Sequence, residues 1–421
     1  MELLRAEIAT ATGEMGREHQ ILAATVLIAG NQSGPLVEEA HGFKHLAEDT
    51  VPADLNSTFW VASCTKLMTT VAALQIVERG LVSLDEDITR VLHEWKDVAV
   101  LTGFDESGRP ITGPAQNKMT FRQLLTHSSG MVYDALSPEL QKYRQYQGLP
   151  PIAPRTGQTL AEATLGPLLY EPGEGWCYSC SIDWAGVVVS NASDNVIRYV
   201  HCSQGGASRW MRNTGRLHVQ EHLESLGMTA VTFHLNDRPD IRSNLVEMLA
   251  RDETGQLQVS STSIEPHTFK YDAGGDGLYL KPTDYAKLLA SLLRNDEVLL
   301  KKETVDLMFT PQLRDPKWLT AFIKATPYPM HYTLLHALPK EIDWNWGLGG
   351  LLNMEDIPGK RKKETICWTG FPNLFWWIDR GSNVYGMYAT QIAPFGDVPA
   401  TDVFSHFEDA LYKELNYPKT T

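Results

Sequence analysis

The pattern of apolar and polar positions divides the chain into three textures. At the start, Met1-Glu2-Leu3-Leu4-Arg5-Ala6-Glu7-Ile8-Ala9-Thr10 places apolar residues at helical intervals with acids between them, which predicts an amphipathic helix. Ile21 to Ala29 is a continuous Ala, Val, Ile and Leu run and reads as a buried strand. Asn31-Gln32-Ser33-Gly34 is a turn, and Val37 to Phe43 returns as a second strand. Leu67 to Val77 contains no Gly or Pro, is apolar almost all round and closes at Gly80, so it predicts a buried helix.

The texture changes from about residue 100 to 225. Prolines and glycines become frequent, and short helical patterns such as Phe121-Arg122-Gln123-Leu124-Leu125 and Trp184 to Val189 lie between them. The last third returns to β-rich runs: Trp346 to Asn353, Glu364 to Thr369, Asn373 to Asp379 and Val384 to Gln391. Turns fall at Asp356-Ile357-Pro358-Gly359 and Arg380-Gly381-Ser382-Asn383, and a closing helix is expected over Asp402 to Leu415. The expected fold class is therefore α+β: an antiparallel β-sheet flanked by N- and C-terminal helices. Residues 1–100 and 226–421 build the sheet domain, and residues 101–225 form an inserted, mainly helical domain. Val196 to Asn213 has no period and reads as a long loop.

Composition narrows the class. The chain has 421 residues, 43% of them hydrophobic, enough for a large core in one domain or two joined ones. A formal charge of −14 argues against nucleic acid or an anionic membrane surface as partner, since both select basic patches. No stretch reaches the roughly eighteen apolar residues of a membrane span. The N-terminal residues lack signal-peptide character. Five cysteines in a long chain suggest free thiols in a reducing compartment, and the expected location is the cytoplasm.

Ser63-Cys64-Thr65-Lys66 heads the predicted buried helix. A serine and a lysine three apart share a helix face. A helix N-terminus favours developing negative charge. Serine alone is a poor nucleophile and needs a base, and lysine serves when burial or a nearby cation lowers its pKa. Serine and lysine at this spacing are often a solvated pair. Here the lysine enters a buried helix, which demands a reason. Tyr178, in a loop after Glu171-Pro172-Gly173, adds a phenol that a neighbouring ammonium turns into a usable base. Trp368-Thr369-Gly370-Phe371 ends a β-run. Gly370 on an exposed strand edge would let a substrate approach closely, and the Phe371 amide with the Ser63 amide would form an oxyanion hole.

These three pieces, in this order, resemble the serine β-lactamase and penicillin-binding-protein superfamily, in its class C branch. Met119-Thr120-Phe121-Arg122-Gln123-Leu124-Leu125-Thr126-His127-Ser128-Ser129-Gly130 is similar to the family's Leu-Leu-Thr-His-Thr-Ser-Gly segment. Gly274-Gly275-Asp276-Gly277, with Pro282 to Ala286 after it, is similar to its Gly-Gly loop and following helix. The resemblance runs from about residue 20 to 415 and implies a β-lactamase/transpeptidase-like fold. Two motifs depart from the pattern: Tyr-x-Asn is Tyr178-Ser179-Cys180 here, and Lys-Thr-Gly is Trp368-Thr369-Gly370. The missing lysine is the cation that grips a β-lactam carboxylate, so the resemblance implies ester and acyl transfer instead. Within the superfamily the chain looks most like the fungal statin side-chain acyltransferases, through Trp176, Tyr178, Asp183-Trp184-Ala185-Gly186, Thr304 to Phe309 and a glycine-rich strand, Gly347-Leu348-Gly349-Gly350.

The resemblance implies catalytic residues Ser63, Lys66 and Tyr178, oxyanion donors at the Ser63 and Phe371 amides, and substrate contacts at Trp368, Thr369 and Gly370. It implies no cofactor and no metal. The implied partners are a small-molecule acyl donor and a hydroxylated acceptor, with a CoA thioester or an acyl carrier protein as forms of the donor. Esterase activity and non-catalytic binding are the competing functions. His218-Val219-Gln220-Glu221-His222 fits a zinc pattern but reads as a solvated helix face, and Cys177 with Cys180 reads as two free thiols. Cys64 reads as packing. Lys360-Arg361-Lys362-Lys363 reads as a solvated hairpin tip. Of Trp344, Trp346, Trp368, Trp376 and Trp377, most are expected in the core, with one or two lining an apolar pocket.

Overall fold

In this computed structural model the N-terminal hairpin and the C-terminal meander build one sheet. The structure describes residues 1–15, 20–46, 51–153, 155, 157–198, 225–260 and 268–416. The sheet strands are β1 (Thr25–Asn31), β2 (Gly34–His41), β3 (Trp344–Trp346), β4 (Leu351–Asn353), β5 (Ile366–Gly370), β6 (Leu374–Asp379) and β7 (Val384–Ala389). All pair antiparallel, in the order β3-β4-β5-β6-β7-β1-β2. The register Val26 with Ala389 and Gly30 with Tyr385 joins the two ends of the chain.

The central strands are apolar on both faces because helices cover both. The long helices are α1 (Glu2–Ala11), α2 (Thr65–Glu78), α3 (Ser181–Arg198), α4 (Pro282–Arg294) and α5 (Val398–Asn416), of which α4 and α5 lie against the sheet and α3 packs on α2. Side chains alternate along a strand. Phe375 and Trp377 therefore meet Phe404 of α5, with ring centroids 4.5 and 5.7 Å apart, while Trp376 meets Tyr285 of α4 at 6.3 Å. α1 packs on α5. The expected α+β class and flanking helices are as found. Among the described residues, no helix is long and apolar enough to cross a membrane.

α2 shows why its sequence reads as buried. Every residue from Thr65 to Ile76 is buried, with α3 against it. Short helices at Phe121–Leu125, Pro138–Tyr146 and Leu160–Thr164 precede α3, each opened by a Thr or Ser cap. A hairpin of Ala99–Phe104 with Pro110–Pro114 also lies here, within the stretch expected to be mainly helical.

Several expectations change. Trp346 to Asn353 is not one strand: β3 and β4 are separate, and Gly347 to Gly350 is the turn between them rather than a glycine-rich strand. Gly349 holds φ +109°, and a side chain on Gly347 would collide with the Met308 carbonyl. The basic run is not a solvated tip: Arg361 is fully buried, donating to Glu408 at 2.5 Å and to His336 Nδ1 at 2.9 Å, whereas Lys362 and Lys363 are exposed. Of the segment expected to be a loop, Val196 to Arg198 ends α3, and the rest lies outside the described residues, as does the His218 and His222 pair.

Candidate active site

Ser63 is presented by a tight turn. A single 3-10 turn, Ala62–Cys64, leads directly into α2. Ala62 adopts φ +43°, a conformation that a residue with a side chain takes at a cost. Hydrogen bonds from Val61 N to Leu278 O and from Cys64 N to Val61 O, both 3.0 Å, hold the turn. Ala62 and Cys64 are buried and Ser63 is partly exposed between them. Cys64 packs inward, as expected, and its carbonyl accepts from Tyr285 Oη at 2.8 Å.

Lys66 lies one turn along α2 and is only 2% exposed. Its ammonium donates to Ser63 Oγ at 3.2 Å, to Gly275 O at 2.8 Å and to Tyr133 Oη at 3.4 Å. Fully buried lysines are rare, and this one has partners for its protons. It also sits 4.6 Å from the Tyr178 ring centroid, a cation–π distance.

Tyr178 reaches Ser63 from the other side. Its hydroxyl donates to Ser63 Oγ at 2.7 Å and accepts from Trp368 Nε1 at 3.2 Å. The loop carrying it is tied to His127. Cys177 N donates to His127 O at 3.0 Å, and Ser179 N donates to His127 Nδ1 at 3.2 Å. Because that nitrogen accepts, the ring proton belongs on Nε2. Burial first, then the Lys66 charge, hold the His127 imidazole well below its ordinary range. The neutral ring packs 4.7 Å from Tyr178 and 5.1 Å from Trp346.

The structure thus brings Ser63, Lys66 and Tyr178 together. Ser63 and Phe371 line one cavity of about 920 Å³. Much of its wall is apolar, with Leu149, Ile152, Leu165 and Phe269 among its residues, and Arg155 and Asp276 supply charge. The expectation for Gly370 changes: β5 is buried throughout rather than an exposed edge. A Cβ on Gly370 would lie 2.6 Å from Val61 O and 3.2 Å from Cys64 Sγ, so the glycine makes room for the nucleophile's own turn. Thr369 is buried, and Trp368 touches Tyr178. Trp60 lines the cavity, whereas the five C-terminal tryptophans are all buried and absent from its described wall. Tyr133 escaped the sequence reading, since a lone tyrosine beyond the Ser-Ser-Gly segment carries no local signal. The four described cysteines are unpaired. No group of three or more side chains able to hold a metal occurs among the described residues.

Comparison with known proteins agrees with this geometry. The family model described as Beta-lactamase matches residues 8–406. The ML-236A carboxylate methylbutanoyltransferase mlcH of Penicillium citrinum is 33% identical, over 86% of this chain and 82% of that protein. The Lovastatin esterase of Penicillium rubens is 34% identical, over 88% and 89% respectively. Among solved structures, unliganded Simvastatin Synthase (LovD) from Aspergillus terreus superposes with TM-score 0.85 at 29% identity, covering 99% of this chain and 98% of that one. The chain belongs to the β-lactamase family, is similar to fungal acyltransferases and an esterase within it, and is an enzyme.

Proposed function

From that membership we propose that the protein is a serine-dependent acyltransferase of secondary metabolism, working through an acyl-Ser63 intermediate. The observation that carries the proposal is the convergence of Tyr178 Oη and Lys66 Nζ on Ser63 Oγ, at 2.7 and 3.2 Å. Lys66 and Tyr178 act as one proton-accepting pair once the pair has lost one proton to solvent. Ser63 gives its proton to the pair and attacks the donor carbonyl, and the Ser63 and Phe371 amides hold the oxyanion. The pair returns the proton to the departing thiol or alcohol. The hydroxyl of a small acceptor then loses its proton to the pair and attacks acyl-Ser63, and the pair passes that proton to Ser63 Oγ as the acyl bond breaks, which restores the free serine. The donor is an ester or thioester, including CoA or carrier-protein thioesters. An apolar wall beside Ser63 supports a bulky apolar substrate. Trp368, where the family carries a lysine, leaves no cation at that position to grip a carboxylate. Unpaired thiols at all four described cysteines support a cytoplasmic setting.

Intact-protein mass spectrometry with a panel of acyl thioesters and esters tests the reading. We expect an adduct on the parent chain that is absent from Ser63→Ala. If no donor labels Ser63, the proposal fails. Hydrolysis to the free acid is the second reading, favoured by the similarity to an esterase at 34% identity. The ratio of transferred to hydrolysed product, with an alcohol acceptor present, decides between them.

A further inference from the structure

Asp183 lies in the first turn of α3, is 1% exposed and, among the described residues, bonds to partners other than Ser63 and Tyr178. Its carboxylate accepts from Gly275 N at 3.0 Å and from Tyr133 Oη at 3.4 Å. Both partners turn to Lys66: Gly275 O accepts from Lys66 Nζ at 2.8 Å, and Tyr133 Oη lies 3.4 Å from the same ammonium. Gly275 fits only because it has no side chain, since a Cβ there would collide with the Asp183 carboxylate. Asp183 therefore grips Lys66 twice, once through a backbone amide and once through a phenol.

The charges around this grip are few. Around Lys66, burial and then Asp183 raise the Tyr133 phenol well above its ordinary range, burial raises the Cys64 thiol, and His127 is held neutral as described. Tyr178 faces Lys66 from its own loop. Around Asp183, burial pushes Cys180 up to about 12 and raises the Tyr271 phenol. Asp276 and Arg155 complete the set: Arg155 pairs with Asp276 and stands 4.0 Å from Asp183. Burial and then Asp276 raise the proton affinity of Asp183, while Arg155 and Lys66 oppose them. Among the described residues, formal charge here rests on Lys66, Arg155, Asp183 and Asp276, two of each sign. The removal of one changes the field at Lys66.

We infer that Asp183 is a positioning residue for Lys66, fixing the ammonium through Gly275 and Tyr133 and supplying the negative charge that decides how readily the Lys66–Tyr178 pair gives up a proton. The inference rests on the acyl-Ser63 reading above and deepens it. Lys66 must shed a proton to accept one from Ser63, and a nearby carboxylate opposes that loss. The carboxylate holds the lysine in place at the expense of activity at low pH.

The test is the pH profile of kcat/KM for adduct formation. Asp183→Asn keeps an oxygen for Gly275 N and removes the charge. We expect the acid-limb midpoint to move to lower pH by about one unit. Arg155→Gln removes the cation that offsets the two acids, and we expect a shift of similar size to higher pH. Opposite shifts support the inference. Lower rates with both midpoints unmoved would mean a structural role only and overturn it. If thermal melting shows that Asp183→Asn does not fold, the Arg155 variant decides alone. A parent chain that forms no Ser63 adduct sinks the functional reading and this inference together, whereas a labelled parent with unmoved midpoints sinks only the inference.

Discussion

The indole N–H of Trp368 donates to Tyr178 Oη across 3.2 Å, while that phenol donates to Ser63 Oγ across 2.7 Å. The strand that carries a lysine in the family's Lys-Thr-Gly motif here places a neutral donor on the catalytic phenol. Such a donor steadies negative charge on the phenol oxygen without presenting a cation to substrate.

Loss of that donor should therefore weaken catalysis without abolishing it. Trp368→Phe keeps an aromatic ring and removes the N–H. We expect kcat/KM to fall by about tenfold, the cost of one hydrogen bond to a developing charge. Steady-state kinetics will show this, and an unchanged kcat/KM would mean that the indole serves only to pack.

Removal of either member of the proton-accepting pair should cost much more. Lys66→Met and Tyr178→Phe are each expected to lower the acylation rate by about 10² to 10⁴. The double variant should lose little beyond the worse single one, since the two act as a unit. Rates from rapid-mixing mass spectrometry check this, and additive losses would argue for separate roles.

Gly370→Ala should disturb the nucleophile from behind. Its Cβ would press on Val61 O and Cys64 Sγ, at 2.6 and 3.2 Å. We expect destabilisation of about 1–3 kcal/mol, as for an overpacked core, together with slower acylation of Ser63. Urea unfolding and adduct kinetics should fall together. A variant as stable and as fast as the parent would show that the turn can shift freely.

Stability should fall on mild acidification through two buried imidazoles. Burial holds His127 and His336 well below their ordinary range, with Lys66 and Arg361 respectively adding to it. His336 Nδ1 accepts from Arg361, so its ring is neutral in the fold. In the unfolded chain each titrates near about 6.5. A folded pKa below the unfolded one means that the unfolded state takes up more protons as pH falls. The contribution is whole above about pH 6.5 and is lost below it, by up to about 1.4 kcal/mol per pH unit for each imidazole. Urea midpoints at about pH 7.5 and 5.5 measure it, and His336→Gln should lose less than the parent.

Much of the architecture is legible along the chain. The β-rich runs Asn373 to Asp379 and Val384 to Gln391, the apolar run after Lys66 and the closing helix all appear as elements near their expected places. The misreadings share a cause. Gly347 to Gly350 looked like strand because composition cannot reveal that Met308 O closes on Gly347. Arg361 looked solvated because its partners, His336 and Glu408, lie 25 and 47 residues away.

The sequence by itself determined the nucleophile and its lysine, because a spacing of three on a helix is a local property, and it marked Tyr178 through the turn before it. Tertiary structure alone decided that Tyr178 reaches Ser63 across 115 residues, that Gly275 reaches Lys66 across 209, and that Tyr133 and Asp183 stand behind them. The physical reason is range. Helix and strand periods follow from neighbouring backbone geometry, whereas contacts between distant segments exist only once burial of the sheet and α2 has fixed where every side chain must lie.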